Sequence, residues 1–150
     1  MVRLEVIEID EPMAEALNLL RDYAAVTDRG QDNVLMMSLR SAFDKVQRYA
    51  DKALLPGRFR ICADDHPGIV NVYMGGKVES VRDSHGMAVS FNQRGNKVYV
   101  GTDGYCEVEF TTAVNHADYV RLLPVVMRYA TALYDGKEGR ELNQILTEAI

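Results

Sequence analysis

Apolar residues recur across residues 32–53 at Leu35, Leu39, Ala42, Val46, Tyr49 and Ala53, four and three positions apart in alternation. That spacing gathers them on one face and predicts a long amphipathic helix, with Ser38, Arg40, Ser41, Asp44, Arg48 and Asp51 on the other faces. Asp32 is expected to cap it, its carboxylate accepting from an orphan amide of the first turn. Asp44 precedes Arg48 by four residues, the favoured order for a helical ion pair. At about 1.5 Å per residue the helix is about 33 Å long, the width of a small domain.

The rest of the chain is built around that helix. Residues 2–9 alternate apolar and charged positions and predict a strand or extended arm. Pro12, after Asp10 and Glu11, opens a helix whose apolar face is Met13, Leu17, Leu20 and Ala24, running to about Val26. Residues 27–31 are a loop, so these two helices are expected to form an antiparallel hairpin. Leu54-Leu55-Pro56-Gly57 stops the long helix.

From Arg58 to Thr112 the period changes to two. Strands are expected at residues 58–62, 69–74, 77–81, 87–91, 97–100 and 105–110, with Gly75-Gly76 as a hairpin turn and residues 92–96 as another. Thr102-Asp103-Gly104 precedes the last, in which Tyr105, Glu107 and Glu109 share one face and Cys106, Val108 and Phe110 the other. Six short strands at close spacing predict an antiparallel sheet or small barrel inserted between helices.

Helical spacing returns over residues 116–134 through Val120, Leu123, Val126 or Met127, Ala130 and Leu133, with Pro124 either opening or kinking that helix. Asp135-Gly136 breaks it. A final amphipathic segment, residues 138–150, carries Leu142, Ile145, Leu146 and Ala149 on one side and needs something to pack against. The fold class is α+β. The expected organisation is one domain, with a helical hairpin at 11–55, a β-rich insert at 57–112, a return helix at 116–136 and a C-terminal segment at 137–150.

Composition narrows the function classes. The 150 residues are 47% hydrophobic and 26% charged, enough for a sizeable core without staples. A net charge of -5 with no basic stripe argues against tight nucleic-acid binding. Cys62 and Cys106 lie in strand-like stretches with no CxxC; they read as reduced, half-buried small hydrophobes, or else as a disulfide between facing strands. The N-terminus lacks a signal-peptide pattern and no run approaches a membrane span, so a soluble, cytoplasmic protein is expected.

Candidate chemistry is sparse. His66, His85 and His116 sit in or beside predicted turns, with no partner at metal-ligand spacing, and are expected on the surface. Asp64-Asp65 before His66-Pro67-Gly68 has the polar composition of a turn. Asp103-Gly104 and Gly95-Asn96 lack the acidic repeat of a calcium loop, and Gly75-Gly76-Lys77 lacks the spacing of a phosphate loop. Neither cysteine has a visible base. No catalytic, metal or cofactor residues are assigned, and no enzyme is expected. Met36 and Met37 read as core beside the apolar stripe.

The order of parts is more telling than any motif. A short helix, a loop and a long helix end in Tyr49-Ala50-Asp51-Lys52-Ala53-Leu54-Leu55-Pro56, followed by the strand Arg58-Phe59-Arg60-Ile61. The β insert closes on Glu107-Val108-Glu109-Phe110-Thr111, and a helix ends in Leu133-Tyr134-Asp135-Gly136-Lys137-Glu138. Over most of residues 12–138 this resembles the head–tail connector family of tailed bacteriophages, the small head-completion adaptors that form a ring under the portal. Pro124, Asp135-Gly136 and residues 2–9 depart from the family pattern.

The resemblance implies a structural virion protein of the neck, assembled in the host cytoplasm. It implies a self-associating ring of about twelve copies between the portal protein and the next neck or tail protein. DNA would pass through its channel without sequence-specific binding, and neither membrane nor cofactor is involved. Residues 137–150 become a candidate docking segment, with Leu142, Ile145, Leu146 and Ile150 either buried in a neighbour or portal, or folded back on their own subunit. The polar side of the long helix, Arg40, Asp44 and Arg48, becomes the candidate contact with a neighbouring subunit. Two other readings stand beside it: a head-closure or tail-completion protein of the same neck, and a small cytoplasmic enzyme or ligand-binding domain whose catalytic residues converge from distant strands.

Overall fold

In the computed structural model, which describes residues 1–102 and 104–150, strand-forming and helix-forming stretches segregate into two units. One comprises Met1–Asp10 and Asp51–Val114, the other Glu11–Ala50 and Asn115–Ile150. The fold is α+β.

The β unit contains β1 (Val2–Ile9), β2 (Gly57–His66), β3 (Ile69–Asn71), β4 (Lys77–Asp83), β5 (Phe91–Arg94), β6 (Lys97–Val100) and β7 (Gly104–Thr112). They form two antiparallel sheets, ordered β1-β2-β7-β4 and β3-β6-β5, rather than a closed barrel. Alternation explains the core: Phe59, Ile61 and Ala63 of β2 and Cys106, Val108 and Phe110 of β7 all project to one side. There they join Val78 and Val81 of β4 and Val70, Val98 and Val100 of the smaller sheet in one buried cluster. Phe59 and Phe110 stack with ring centroids 5.4 Å apart.

Gly75-Gly76 is not a hairpin turn, because β3 pairs with β6 and β4 with β7. The alternation beyond Asn71 continues as burial of Val72 and Met74 without strand pairing. Met74 takes a left-handed φ of 57°, and its amide donates to the Asp51 carboxylate at 2.5 Å. Gly76 is there for space: a Cβ would lie 2.2 Å from the Phe110 ring. The other turn also shifts. Residues 92–94 belong to β5, and Gly95-Asn96 alone connects it to β6. Gln93, expected in a turn, fastens the two sheets together: its Oε1 accepts from Val78 N at 2.9 Å and its Nε2 donates to Gly76 O at 2.7 Å.

β1 forms the outer edge of the larger sheet. Asp64 N donates to Met1 O at 3.0 Å, and the register pairs Val2 with Ala63 and Arg3 with Cys62. Bonded and non-bonded pairs alternate in an antiparallel ladder, so the backbone groups of Val2, Leu4 and Val6 point away from β2. A bulge between Val6 and Glu8 interrupts that edge.

The helical unit contains α1 (Ala14–Ala24), α2 (Asp32–Ala50), α3 (His116–Tyr134) and α4 (Arg140–Ala149). α1 starts at Ala14, with Pro12 buried just before it. Its end is set by Ala25 in the left-handed region, with Val26 N donating to Arg21 O at 3.0 Å. A short 3-10 turn, Arg29–Gln31, leads into α2, and Asp28 accepts from Gly30 N at 2.8 Å. Asp32 is therefore not the cap; it is the first residue of α2 and pairs with Arg21.

α2 stops at Ala50, sooner than periodicity implied, because Asp51 adopts φ 54° and breaks the ladder before the proline. Its buried face is Leu35, Leu39, Ala42, Phe43, Val46 and Gln47, while Tyr49 is exposed and Ala53 belongs to the β core. α3 runs unbroken through Pro124, capped by Asn115 Oδ1 accepting from Asp118 N at 3.2 Å. Its buried face (Leu122, Val125, Val126, Met127, Tyr129, Ala130, Ala132) is wider than the expected stripe and leaves out Val120, since α1, α2 and α4 all pack on it. Phe43 of α2 and Tyr119 of α3 stack at 6.2 Å.

Candidate assembly surface

The outer face of the larger sheet follows from register. Arg3 lies opposite Cys62 and Glu5 opposite Arg60; across β7, Arg60 meets Glu109 and Cys62 meets Glu107. Ion pairs cross this face. Arg60 reaches Glu109 at 2.9 Å, Glu5 at 3.6 Å and Glu107 at 4.0 Å, and Arg3 pairs with Glu5 at 2.7 Å. The hydrogen bond from Arg60 holds the Glu109 carboxyl below the usual glutamate range, despite partial burial that opposes the shift. Tyr105 Oη donates to Glu107 at 2.8 Å; that bond, then the neighbouring Cys62 thiol, raises the phenol above its ordinary value. Arg58 adds a contact to Glu109 at 3.4 Å, while Arg82, opposite Glu107, and Lys77, opposite Thr111, share the face without an ion pair among the described residues.

Cys62 and Cys106 are both free and buried, and they occupy opposite faces of the sheet: Cys62 opposes Glu107 while Ala63 opposes Cys106. A bridge between them is excluded by that alternation. Burial raises the Cys106 thiol pKa.

His66 corrects the expectation of three surface histidines. It is only 6% exposed, its Nδ1 accepting from Gly68 N at 3.1 Å. The Asp64-Asp65 pair lies at a bulge in β2, Asp65 at φ 50°, which turns both carboxylates outward and His66 inward. His85 sits in a turn where Asp83 Oδ1 accepts from the amides of His85 and Met87 at 2.9 and 3.0 Å. Asp103, expected beside Gly104 in a turn, lies outside the described residues. Among the described residues no three or more His, Cys, Asp or Glu gather as a metal site, and no helix is long and apolar enough to cross a membrane.

In the helical unit the candidate contact residues are paired within the chain. Arg40 pairs with Glu11, and Arg48 with Asp44 at 2.9 Å, so the residues expected to meet a neighbour are already partnered within the chain. Leu142, Ile145 and Leu146 are buried on α3 rather than presented outward; of the four expected docking residues, Ile150 is the exposed one. The segment folds back on its own subunit, the alternative that periodicity left open.

Two surfaces escaped the sequence reading. One is the outer stripe of α2, Val34, Met37, Ser41 and Lys45, in which Val34 is 47% and Met37 65% exposed. Met37, expected in the core beside the apolar stripe, is turned outward because the buried face passes through Leu35 and Leu39. The other is an open groove of about 810 Å³ flanked by α1, α3 and α4. Pro124, Ala132, Ile145 and the half-exposed Tyr23 line it, together with charged groups of both signs, among them Lys137, Glu141 and Glu148. Arg128 closes on Glu148 at 3.3 Å, and this bond and that from Gln144 lower the Glu148 pKa, the Gln144 bond more.

No protein-family model and no curated protein matches the chain. Solved structures do. A chain in the neck of an empty gene transfer agent (GTA) particle, computed with C6 symmetry, matches over 93% of this chain and 93% of its own length, with TM-score 0.60 and 20% identity. A chain in the neck of the native GTA particle, computed with C12 symmetry, matches over 87% and 84%, with TM-score 0.53 and 18% identity. A third, from the virion of the native GTA particle, matches over 94% of both chains, with TM-score 0.57 and 15% identity. At these identities the likeness is one of fold, and it extends over both units.

Proposed function

We propose that this protein is a structural component of a phage-like head–tail neck, a connector that assembles as a ring between portal and tail around the DNA passage. The observation that carries the reading is the near-full-length fold likeness to chains in GTA necks computed with C6 and C12 symmetry. The order of helices and β insert that resembles the connector family supports it independently. A ring of about twelve copies suits that family and the twelvefold neck. The net charge of -5 suits a channel through which DNA slides, since retained phosphate contacts would slow its passage. Such a protein acts by assembly and uses neither a catalytic site nor a cofactor. A head-closure or tail-completion role in the same neck shares the fold argument and differs in copy number and partner.

Incubation of the purified chain with its portal, followed by electron microscopy and mass photometry, tests the reading. Rings of about twelve subunits seated on the portal are expected. A chain that stays monomeric with portal and tail partners, or that turns over a small molecule, overturns it.

A further inference from the structure

A closed ring with more than two subunits needs two different, complementary surfaces on each copy, because a surface that pairs with itself stops at a dimer. Resting on the neck reading above, we infer that the ring contact is the outer stripe of α2 from one copy seated in the α1–α3–α4 groove of a second copy. The two surfaces complement each other in shape and charge. Val34 and Met37 project as an apolar ridge one helical turn apart, followed by the small Ser41. The groove offers apolar lining from Tyr23, Pro124, Ala132 and Ile145.

Charge favours the pairing. Of the charged groups lining the groove, Arg128 and Glu148 pair with each other. Asp135, Lys137 and Glu141 have no ion-pair partner among the described residues and leave the groove net acidic. Lys45 at the end of the ridge is likewise unpaired among the described residues, whereas Arg40 and Arg48 are matched. A small molecule does not suit a groove so open and so bordered by charge. A helix from a second copy does, by the helix-in-groove mode. α2 and α4 each pack on α3, so the ridge and the groove occupy separate parts of the helical unit and a copy can use both at once.

Cysteine trapping in the full chain tests the contact. In a Cys62→Ser background, Met37→Cys with Gln144→Cys should give, on mild oxidation, a ladder of covalent multimers, while either cysteine alone gives none of the higher rungs. Dimers alone from the double variant would mean a twofold contact and overturn the inference. With the portal present, wild-type rings without any ladder from the double variant would overturn it and leave the neck reading standing; neither rings nor ladder with the portal present would remove both. As a second arm, Lys45→Glu and Glu141→Lys should each raise the half-assembly concentration about tenfold, and the combined swap should recover most of it. Failure of the swap to recover assembly, with each variant folded by circular dichroism, counts against the pairing.

Discussion

The outer sheet face of the β unit and the outer stripe of α2 are different kinds of surface. On the β unit the outer sheet face is crossed by ion pairs among Arg3, Glu5, Arg60, Glu107 and Glu109, and on the core side no room is left even for a Cβ at Gly76. The helical unit exposes Val34 and Met37 on α2 next to Lys45 and carries Glu141 in a groove elsewhere, both charges without an ion-pair partner among the described residues. The difference separates shape from adhesion: contacts closed inside one chain are unavailable to a second, while unmatched groups on a rigid helix remain available to one.

Stability measurements on the isolated chain can break that contrast. Phe110→Ala removes a fully buried ring from the stack with Phe59 and should cost about 3–5 kcal/mol in urea unfolding. Gly76→Ala forces a methyl into the same ring and should cost about 1–3 kcal/mol. Combined with Phe110→Leu, it should cost less than the sum, because the two changes share one space. Asn115→Ala deletes the α3 cap and should lower stability by about 1 kcal/mol.

Smaller effects sharpen it. Arg60→Met should cost under about 1 kcal/mol at neutral pH, since its ion pairs are partly solvated. Glu109 has a depressed folded pKa, so its contribution is present above about pH 4.3, where unfolded glutamate ionises, and is lost as pH falls through the folded value. Arg60→Met should flatten that acid limb of the stability curve. Met37→Ser should change monomer stability by less than about 0.5 kcal/mol. A cost as large as that of Gly76→Ala would show Met37 to be core and end the distinction between the two surfaces.

Periodicity carried much of the fold and less of the surface. It placed β1 at residues 2–9 and α3 at 116–134, because both have clear alternation or a capped, broken end. It failed where one side chain outweighs the local pattern. Asp51 in a left-handed conformation ends α2 early, and Gln93 turns a polar stretch into a strand by bonding across to Val78 and Gly76. Gly75-Gly76 has the composition of a turn, yet its reason is the distant Phe110, which no short window contains. The exposed α2 stripe and the groove are illegible for a related cause. The stripe through Leu35, Leu39, Ala42 and Val46 is buried as its spacing implies, but its width is not legible, so Met37 beside it lies on the surface; the groove exists only once α1, α3 and α4 are brought together. The one signal for Met37 was the mismatch of two adjacent methionines, only one of which a stripe centred on Leu35 and Leu39 can turn inward.

The bulge in β1 has a consequence for crowding. A sheet edge with free amides and carbonyls at Val2, Leu4 and Val6 is a template on which further chains could add without limit, and Val2, Val6 and Ile7 would make such growth adhesive. The extra residue at Ile7 throws the edge out of register for a straight incoming strand, and Glu5 and Glu8 set like charge against like in any copy approaching in parallel register. Where many copies gather in a small volume, that irregularity guards solubility: it discourages open-ended fibril growth from a strand that would otherwise invite it.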